Sequence, residues 1–136
     1  MAKRVYAKRI AAIKHGYRSG LEEDLDAVLK ENNIDGEYEK HKIKYTIPTT
    51  DHTYTPDFKL PNGIYIETKG RLVLADMKKH ILIKQQHPHL DIRFVFQNSK
   101  AKIRKGSTTT YAMWADKHGF RWANKTIPLD WLCEII

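Results

Sequence analysis

The chain has 136 residues, a length that suits one compact domain able to bury roughly two-thirds of the surface that its unfolded form exposes. Apolar residues make up 41%, an ordinary globular composition that excludes disordered and fibrous classes. Lysine and arginine number 24 against 16 acidic residues, and the resulting net charge of +8 predicts a polyanionic partner, nucleic acid before membrane.

Cysteine content and hydropathy indicate the compartment. Cys133 is the single cysteine, which excludes an intrachain disulfide and a thiolate metal cluster. No stretch approaches the ~18 consecutive apolar residues of a membrane span, and the N-terminus lacks the apolar core of a signal peptide. We therefore expect a soluble protein of a reducing, cytoplasmic compartment.

Residues 1–18 form a basic arm without a single acid, and the composition switches sharply at Ser19-Gly20. We interpret this arm as a nucleic-acid contact rather than a transit peptide, because a helix follows directly; a solvated tail is the alternative. The predicted DNA contacts of this region are Lys3, Arg4, Lys8, Arg9, Lys14, Arg18 and Ser19.

The first helix is predicted to begin after Ser19, because Ser19 and Glu22 have the spacing of a capping box. Apolar residues then recur at helical spacing until Asn32-Asn33. An extended pattern follows from Glu37 to Ile47, and the polar residues 49–53 are expected to form a loop.

Two strands, Tyr54 to Leu60 and Ile64 to Lys69, are predicted next. Pro61-Asn62-Gly63 between them is typical of a three-residue hairpin loop with a glycine bulge. This loop places Asp57 opposite Glu67, whereas a two-residue loop would place the two acids on opposite faces of the hairpin.

The second half of the chain predicts a βαβ unit, with a helix from roughly Leu74 to Gln86 and a strand from Asp91 to Phe96. A helix from about Ser107 to His118, a short strand from Phe120 to Trp122 and a closing helix from Pro128 to Ile136 follow. We expect one α/β domain over residues 19–136. A basic loop is the second predicted DNA patch, although a solvated loop is a close rival; its residues are Lys100, Lys102, Arg104 and Lys105.

The hairpin carries the candidate chemistry. Glu67 and Lys69 are two residues apart on one strand and share a face, so Asp57, Glu67 and Lys69 are expected to form one cluster. Opposed carboxylates repel unless a cation lies between them, and oxygen ligands suit Mg²⁺, with Mn²⁺ as a substitute. Such an ion supports phosphodiester hydrolysis, with the lysine positioning or helping to deprotonate the attacking water.

A solvated hairpin face, with Lys69 neutralising the acids, is the alternative interpretation of this cluster. The turn chemistry, the Pro56 that precedes Asp57 and the basic charge of the whole chain together favour a nuclease site. A non-catalytic DNA-binding or architectural protein is the alternative function, since the charge alone would serve it equally well.

Pro56-Asp57, followed ten residues later by Glu67-Thr68-Lys69, resembles the PD…E-x-K signature of restriction-endonuclease-like nucleases. The chain resembles still more closely the bacteriophage endonuclease I family of Holliday-junction resolvases, from about residue 16 onward. Two features depart from the family pattern: Arg71 to Leu74 is less polar, and the sequence stops at Ile136 without a basic C-terminal extension. The segments that match are Arg18 to Glu22, His52 to Phe58, Leu60 to Ile64, Glu67 to Gly70, Lys78 to His80, Gln86 to Pro88 and Lys117 to Gly119.

The resemblance implies a restriction-endonuclease-like mixed sheet flanked by helices, in an intertwined homodimer acting in the host cytoplasm. The expected activity is symmetric cleavage of four-way and other branched DNA, leaving 5′-phosphate and 3′-hydroxyl ends. A general nuclease of the same superfamily, without junction selectivity, is the alternative.

Site roles are also implied by the resemblance. Asp57 would bridge two metal ions, and Glu67 with the Thr68 carbonyl would hold the first. Glu22 would hold the second ion in the partner's site, with residues 46–50 as the bridging segment, and Lys69 would serve the water or the transition state. From spacing alone, Glu22 only caps its own helix.

Overall fold

The computed structural model describes residues 19–47 and 50–135. The basic arm predicted for residues 1–18 and the middle of the predicted bridging segment, residues 48–49, lie outside this range. The helices are α1 (Gly20–Glu31), α2 (Leu74–Gln86), α3 (Tyr111–Lys117) and α4 (Leu129–Cys133). The strands are β1 (Glu37–Tyr38), β2 (Ile43–Ile47), β3 (Thr50–Tyr54), β4 (Phe58–Lys59), β5 (Tyr65–Lys69), β6 (Ile92–Phe96) and β7 (Trp122–Asn124).

Within the described residues, a five-stranded sheet has the order β1-β4-β5-β6-β7, and β2 and β3 form a separate antiparallel pair. Strands β5, β6 and β7 run parallel, because α2 and α3 return the chain between them. Strands β1, β4 and β5 pair antiparallel. The predicted α/β class with a partly parallel sheet is confirmed.

Helix α1 follows the local signals of its sequence. The Ser19 hydroxyl accepts a hydrogen bond from the Glu22 backbone N–H at 3.2 Å, which satisfies one of the unpaired donors of the first turn. Leu21, Leu25 and Leu29 are buried on one face and pack against the five-stranded sheet. The predicted first helix is therefore confirmed.

Strand β6 lies in the interior of the sheet, between β5 and β7, and all of its residues are buried. An interior parallel strand is covered on both faces, which explains the nearly continuous apolar sequence of β6. Arg93 is the polar exception: its guanidinium pairs with Asp91 at 2.7 Å and with Glu134 at 2.8 Å. It also lies over the Trp131 ring, 5.2 Å from the ring centroid, and so ties α4 to the sheet.

Residues 50–54 form strand β3, so the predicted loop over 49–53 is wrong for the described residues. Thr46 donates from its hydroxyl to Asp51 across the pair at 3.0 Å, and the rings of Tyr45 and His52 stack at 5.6 Å. Residues 50–53 are all exposed, so the strand has no apolar alternation to reveal it.

Other boundaries differ from the prediction as well. The extended pattern from Glu37 to Ile47 divides into β1 and β2, and the predicted strand from Tyr54 to Leu60 divides between β3 and β4. Helix α3 begins at Tyr111 rather than Ser107, because the Thr110 hydroxyl accepts from the Met113 N–H at 3.1 Å and caps it there. Across the described part of the chain, no helix combines the length and apolar character that crossing a membrane requires.

Candidate active site

The hairpin between β4 and β5 has the predicted register. Phe58 pairs with Ile66, and the Leu60 N–H donates to the Ile64 carbonyl at 2.8 Å across the three-residue loop. Gly63 has a φ of 94°, the left-handed conformation that this loop requires. The length and the conformation of this loop therefore determine the register between β4 and β5.

Asp57 lies one residue beyond the last pair of this ladder, so the predicted strand pairing with Glu67 does not form. Its carboxylate instead accepts hydrogen bonds from the backbone N–H and the hydroxyl of Thr68, both at 2.8 Å. The Asp57 side chain is only 1% exposed. Its position is therefore fixed by β5, although the residue lies outside the strand ladder.

Glu67 is the second buried acid of the hairpin, with 4% exposure. The Tyr54 hydroxyl donates a hydrogen bond to its Oε2. Burial, together with the negative charge of Asp57, raises the pKa of Glu67 to about 8, against the opposing effect of Lys69. The two carboxylates thus lie near enough to interact, as the sequence predicts.

Lys69 lies beside this pair. Its Nζ is 3.9 Å from Glu67 Oε1 and 3.2 Å from Asp76 Oδ1, at the start of α2. The predicted shared face of Glu67 and Lys69 agrees with these contacts. Asp76 was not singled out by the sequence, because the cap of α2 has no distinctive motif.

Glu22, Glu39 and Asp57 form a second grouping, in which one ligand atom of each lies within 4.8 Å of the others. The Tyr38 hydroxyl donates to Glu22 Oε2, and the Ser19 hydroxyl contacts Oε1 at 3.3 Å. The Glu22 carboxylate thus lies near the other acids and also contacts the N-cap serine of its own helix.

Glu39 is the member of this group that sequence reasoning missed. It has a positive φ of 49°, and its backbone N–H donates to the Asp57 carbonyl at 3.0 Å, which turns the chain beside the acid. In the sequence it lies among alternating acidic and basic residues, where nothing distinguishes it from a solvated side chain.

This acidic grouping forms within one chain. Glu22 comes from α1 and Asp57 directly precedes β4, so the two residues lie on either side of residues 48–49 in the sequence. A second subunit is therefore not needed to bring the two acids together. The contribution of Glu22 to a partner's site, implied by the resemblance, stays a prediction.

The chemistry of these donors fits a hard divalent cation. Several carboxylates in one small region, most of them buried, repel one another unless a positive charge offsets them. Each offers oxygen, the ligand preferred by Mg²⁺ and Mn²⁺. Glu22, Asp57 and Glu67, with Glu39 as an addition, are the described side chains suited to hold such an ion.

The predicted DNA contacts are described only in part. The basic residues of the arm lie outside the described range, and Ser19 is the N-cap of α1. The basic loop projects into solvent before α3, where a bridge between Lys102 and Thr110 closes it. Its charged residues, Lys100, Lys102, Arg104 and Lys105, are all exposed.

Comparison with known proteins places this chain in a family. A family model described as phage endonuclease I matches residues 1–136. Endonuclease I of Escherichia phage T7 is 52% identical over 118 residues, which cover 87% of this chain and 79% of the relative. Endodeoxyribonuclease 1 of Enterobacteria phage T3 is 53% identical over 113 residues, 83% of this chain and 74% of the relative.

The protein is an endonuclease, the class that the family model and the two relatives together define. It belongs to the phage endonuclease I family, whose model spans the sequence from end to end. The family resemblance and the enzyme class predicted from the sequence are confirmed.

Proposed function

We propose that the protein is a Mg²⁺-dependent deoxyribonuclease that resolves four-way and other branched DNA junctions, leaving 5′-phosphate and 3′-hydroxyl ends. The observation that carries this proposal is the packing of Glu22, Glu39 and Asp57 against one another in a chain of net charge +8. A site this acidic within a basic protein suits a metal-assisted reaction on a polyanion. The junction preference follows from the family resemblance.

The residues that would hold the proposed pair of metal ions are Asp57, Glu67, Glu22 and, through its carbonyl, Thr68. Glu39 joins this set because its carboxylate lies in the same group. Mg²⁺, or Mn²⁺ in its place, would polarise the scissile phosphodiester and lower the pKa of a bound water.

The protein's own groups have distinct tasks around this chemistry. Thr68 holds the Asp57 carboxylate through two hydrogen bonds. Lys69, held between Glu67 and Asp76, would place a positive charge where negative charge develops on the phosphate or orient the attacking water. The basic arm and the loop at residues 100–105 would bind the DNA backbone on either side.

Cutting two strands of a junction requires two sites, so we propose a homodimer with a restriction-endonuclease-like fold in each nuclease domain. In an intertwined form, residues 19–47 would pack against residues 50–135 of the partner, and Glu22 would complete the partner's site. The contacts between these parts within one chain would then form between chains. The enzyme would act in the cytoplasm of the bacterial host.

A comparison of two substrates tests the proposed function. Purified protein with Mg²⁺ is expected to cut a synthetic four-way junction symmetrically and to leave a linear duplex of the same arms largely intact. Equal nicking of both substrates would reject junction selectivity and leave a general nuclease. Binding without cleavage under any divalent metal would favour the architectural alternative.

A further inference from the structure

Tyr54 connects the small sheet to the candidate active site. It is the last residue of β3, it pairs with Ile43 of β2, and it is 3% exposed. Its hydroxyl nevertheless reaches β5 of the other sheet, where it donates to Glu67 Oε2. One hydroxyl therefore joins the two sheets at a proposed metal-binding carboxylate.

The Tyr54 ring is held by its neighbours. The His80 ring meets it edge to face, with centroids 5.0 Å apart, and Lys79 Nζ lies 5.4 Å from its centroid. His80 is fully buried and packs against Phe94 at 4.8 Å. Because α2 supplies both contacts, the hydroxyl cannot move far from Glu67 without repacking this helix.

We propose that Tyr54 is a positioning residue for the nuclease reaction, which fixes the orientation of the Glu67 carboxylate by its hydrogen bond to Oε2. The other oxygen, Oε1, is the one on the Lys69 side, at 3.9 Å from Nζ. With Oε2 held, the carboxylate presents a single orientation to the metal and to Lys69. This inference rests on the proposed function, because it takes Glu67 as a metal ligand.

The expected effect is on metal affinity. Partners that orient a metal ligand, without touching the ion, typically alter metal affinity or activity by about 10–100-fold when they are removed. A carboxylate that must be ordered upon binding gives up rotational freedom at that moment, and this weakens binding. The maximal rate at saturating metal is expected to change less, since every proposed ligand is still present.

The test compares Tyr54→Phe with the unmodified protein. Mn²⁺ binding to the DNA-free, full-length protein is followed by electron paramagnetic resonance, and the Mg²⁺ dependence of junction cleavage is measured in parallel. Tyr54→Phe is expected to bind Mn²⁺ about 10–100-fold more weakly and to recover most of its cleavage rate at high Mg²⁺. Tyr111→Phe, which removes another buried tyrosine hydroxyl in a different core cluster, is the matched control and should change neither quantity.

The proposal is decided by the following outcomes, all measured at a temperature at which thermal unfolding shows that every variant is folded. Unchanged Mn²⁺ affinity in Tyr54→Phe, or a rate that excess Mg²⁺ does not restore, overturns the role of Tyr54. Glu67→Gln identifies a different failure: if this variant binds Mn²⁺ normally, Glu67 is not a ligand and the proposed site itself is wrong. Weak Mn²⁺ binding by both Tyr54→Phe and Glu67→Gln, with Tyr111→Phe normal, supports the inference.

Discussion

The carboxylate of Asp57 accepts two hydrogen bonds from a single residue, Thr68, through its backbone N–H and its hydroxyl, both at 2.8 Å. Asp57 is not part of the paired strands, so these two hydrogen bonds, and not strand pairing, determine the orientation of its side chain. The carboxylate is thereby held at the end of β5, next to Glu67, before any ligand binds. Such prior ordering is what a metal site of buried carboxylates requires.

Lys69 is expected to contribute to the reaction and little to DNA binding. Lys69→Met keeps most of the side-chain length but removes the charge between Glu67 and Asp76. We expect single-turnover cleavage of a four-way junction to fall by about 10²–10³-fold, the usual effect of removing one group that stabilises developing charge. Junction affinity measured in EDTA should change by less than about 3-fold, because only one positive charge is lost.

Lys59→Met is the control for this experiment. Lys59 lies over the Tyr65 ring, 5.9 Å from its centroid, and is not among the groups assigned to the reaction. Its variant should cleave like the unmodified protein. Equal losses of cleavage in both variants would show that charge alone, and not the position of Lys69, matters.

Glu22 and Asp57 allow a test of the shared site. Glu22→Ala and Asp57→Ala proteins are each expected to be inactive. In a heterodimer with the proposed exchange, one site carries both substitutions and the other carries neither. Mixing the two after subunit exchange should therefore restore cleavage at one site, to about half of the unmodified rate per dimer.

The same experiment shows when the sites are not shared. If Glu22 acts on Asp57 of its own chain, each site of the heterodimer retains one defect and no cleavage returns. The heterodimer must be verified by differently tagged subunits. A verified heterodimer without activity would contradict the intertwined arrangement and leave the metal site itself unaffected.

His80 predicts a pH dependence of stability. Burial lowers the pKa of His80 well below the ordinary value of 6.5, and the positive charges of Lys79 and Lys69 lower it further. Below about pH 6.5 the unfolded chain binds a proton that the folded chain does not, so stability falls as the pH drops. Below pH 6.5, His80 lowers the free energy of unfolding by at most about 1.4 kcal/mol for each pH unit. Above pH 6.5 the folded and unfolded chains both carry a neutral His80, so it adds no pH dependence there.

Urea unfolding between pH 8 and pH 5.5 measures this contribution. His80→Phe keeps an aromatic ring among Tyr54, Phe94 and Phe120, and should show a weaker loss of stability in acid than the unmodified protein. His89→Phe, at an exposed position, should retain the original slope. An identical slope in all three proteins would show that His80 does not titrate differently in the folded state.

The basic loop predicts a change in the salt dependence of binding. Neutralising its four charges should reduce the slope of log affinity against log salt by up to about 3.6, since each neutralised phosphate contributes about 0.9. Junction affinity across a salt series checks this expectation, with Lys30→Gln on α1 as a single-charge comparison. An unchanged slope would place the loop away from DNA. The substitutions are Lys100→Gln, Lys102→Gln, Arg104→Gln and Lys105→Gln.

The sequence predicts those parts of the structure that local signals determine. The capping serine of α1, the apolar run of β6 and the Pro61-Asn62-Gly63 loop each act over a few residues, so the helix, the parallel strands and the hairpin register were predictable. The same register led to Asp57, Glu67 and Lys69 as neighbours.

Features that depend on contacts between distant segments were not predictable. Strand β3 is exposed along most of its length and exists because β2 pairs with it. Glu39 reaches the acidic group through one left-handed residue, and Tyr54 reaches Glu67 from a different sheet. The periodicity of the sequence does not encode such contacts between distant segments, because each contact forms only in the complete fold.

A metal titration of Asp57→Asn tests whether Asp57 holds the metal ion on which cleavage depends. Asparagine retains an oxygen that can accept from Thr68, but removes the charge that a bridging ligand supplies. Single-turnover cleavage of a four-way junction is measured against Mg²⁺ concentration for both proteins, with junction affinity in EDTA as the companion value. We expect Mg²⁺-dependent cleavage by the unmodified protein and at least a roughly 10²-fold loss of cleavage in Asp57→Asn, with junction affinity retained. Metal-independent cleavage, or an Asp57→Asn protein as active as the unmodified one, would show that Asp57 does not hold a catalytic metal ion.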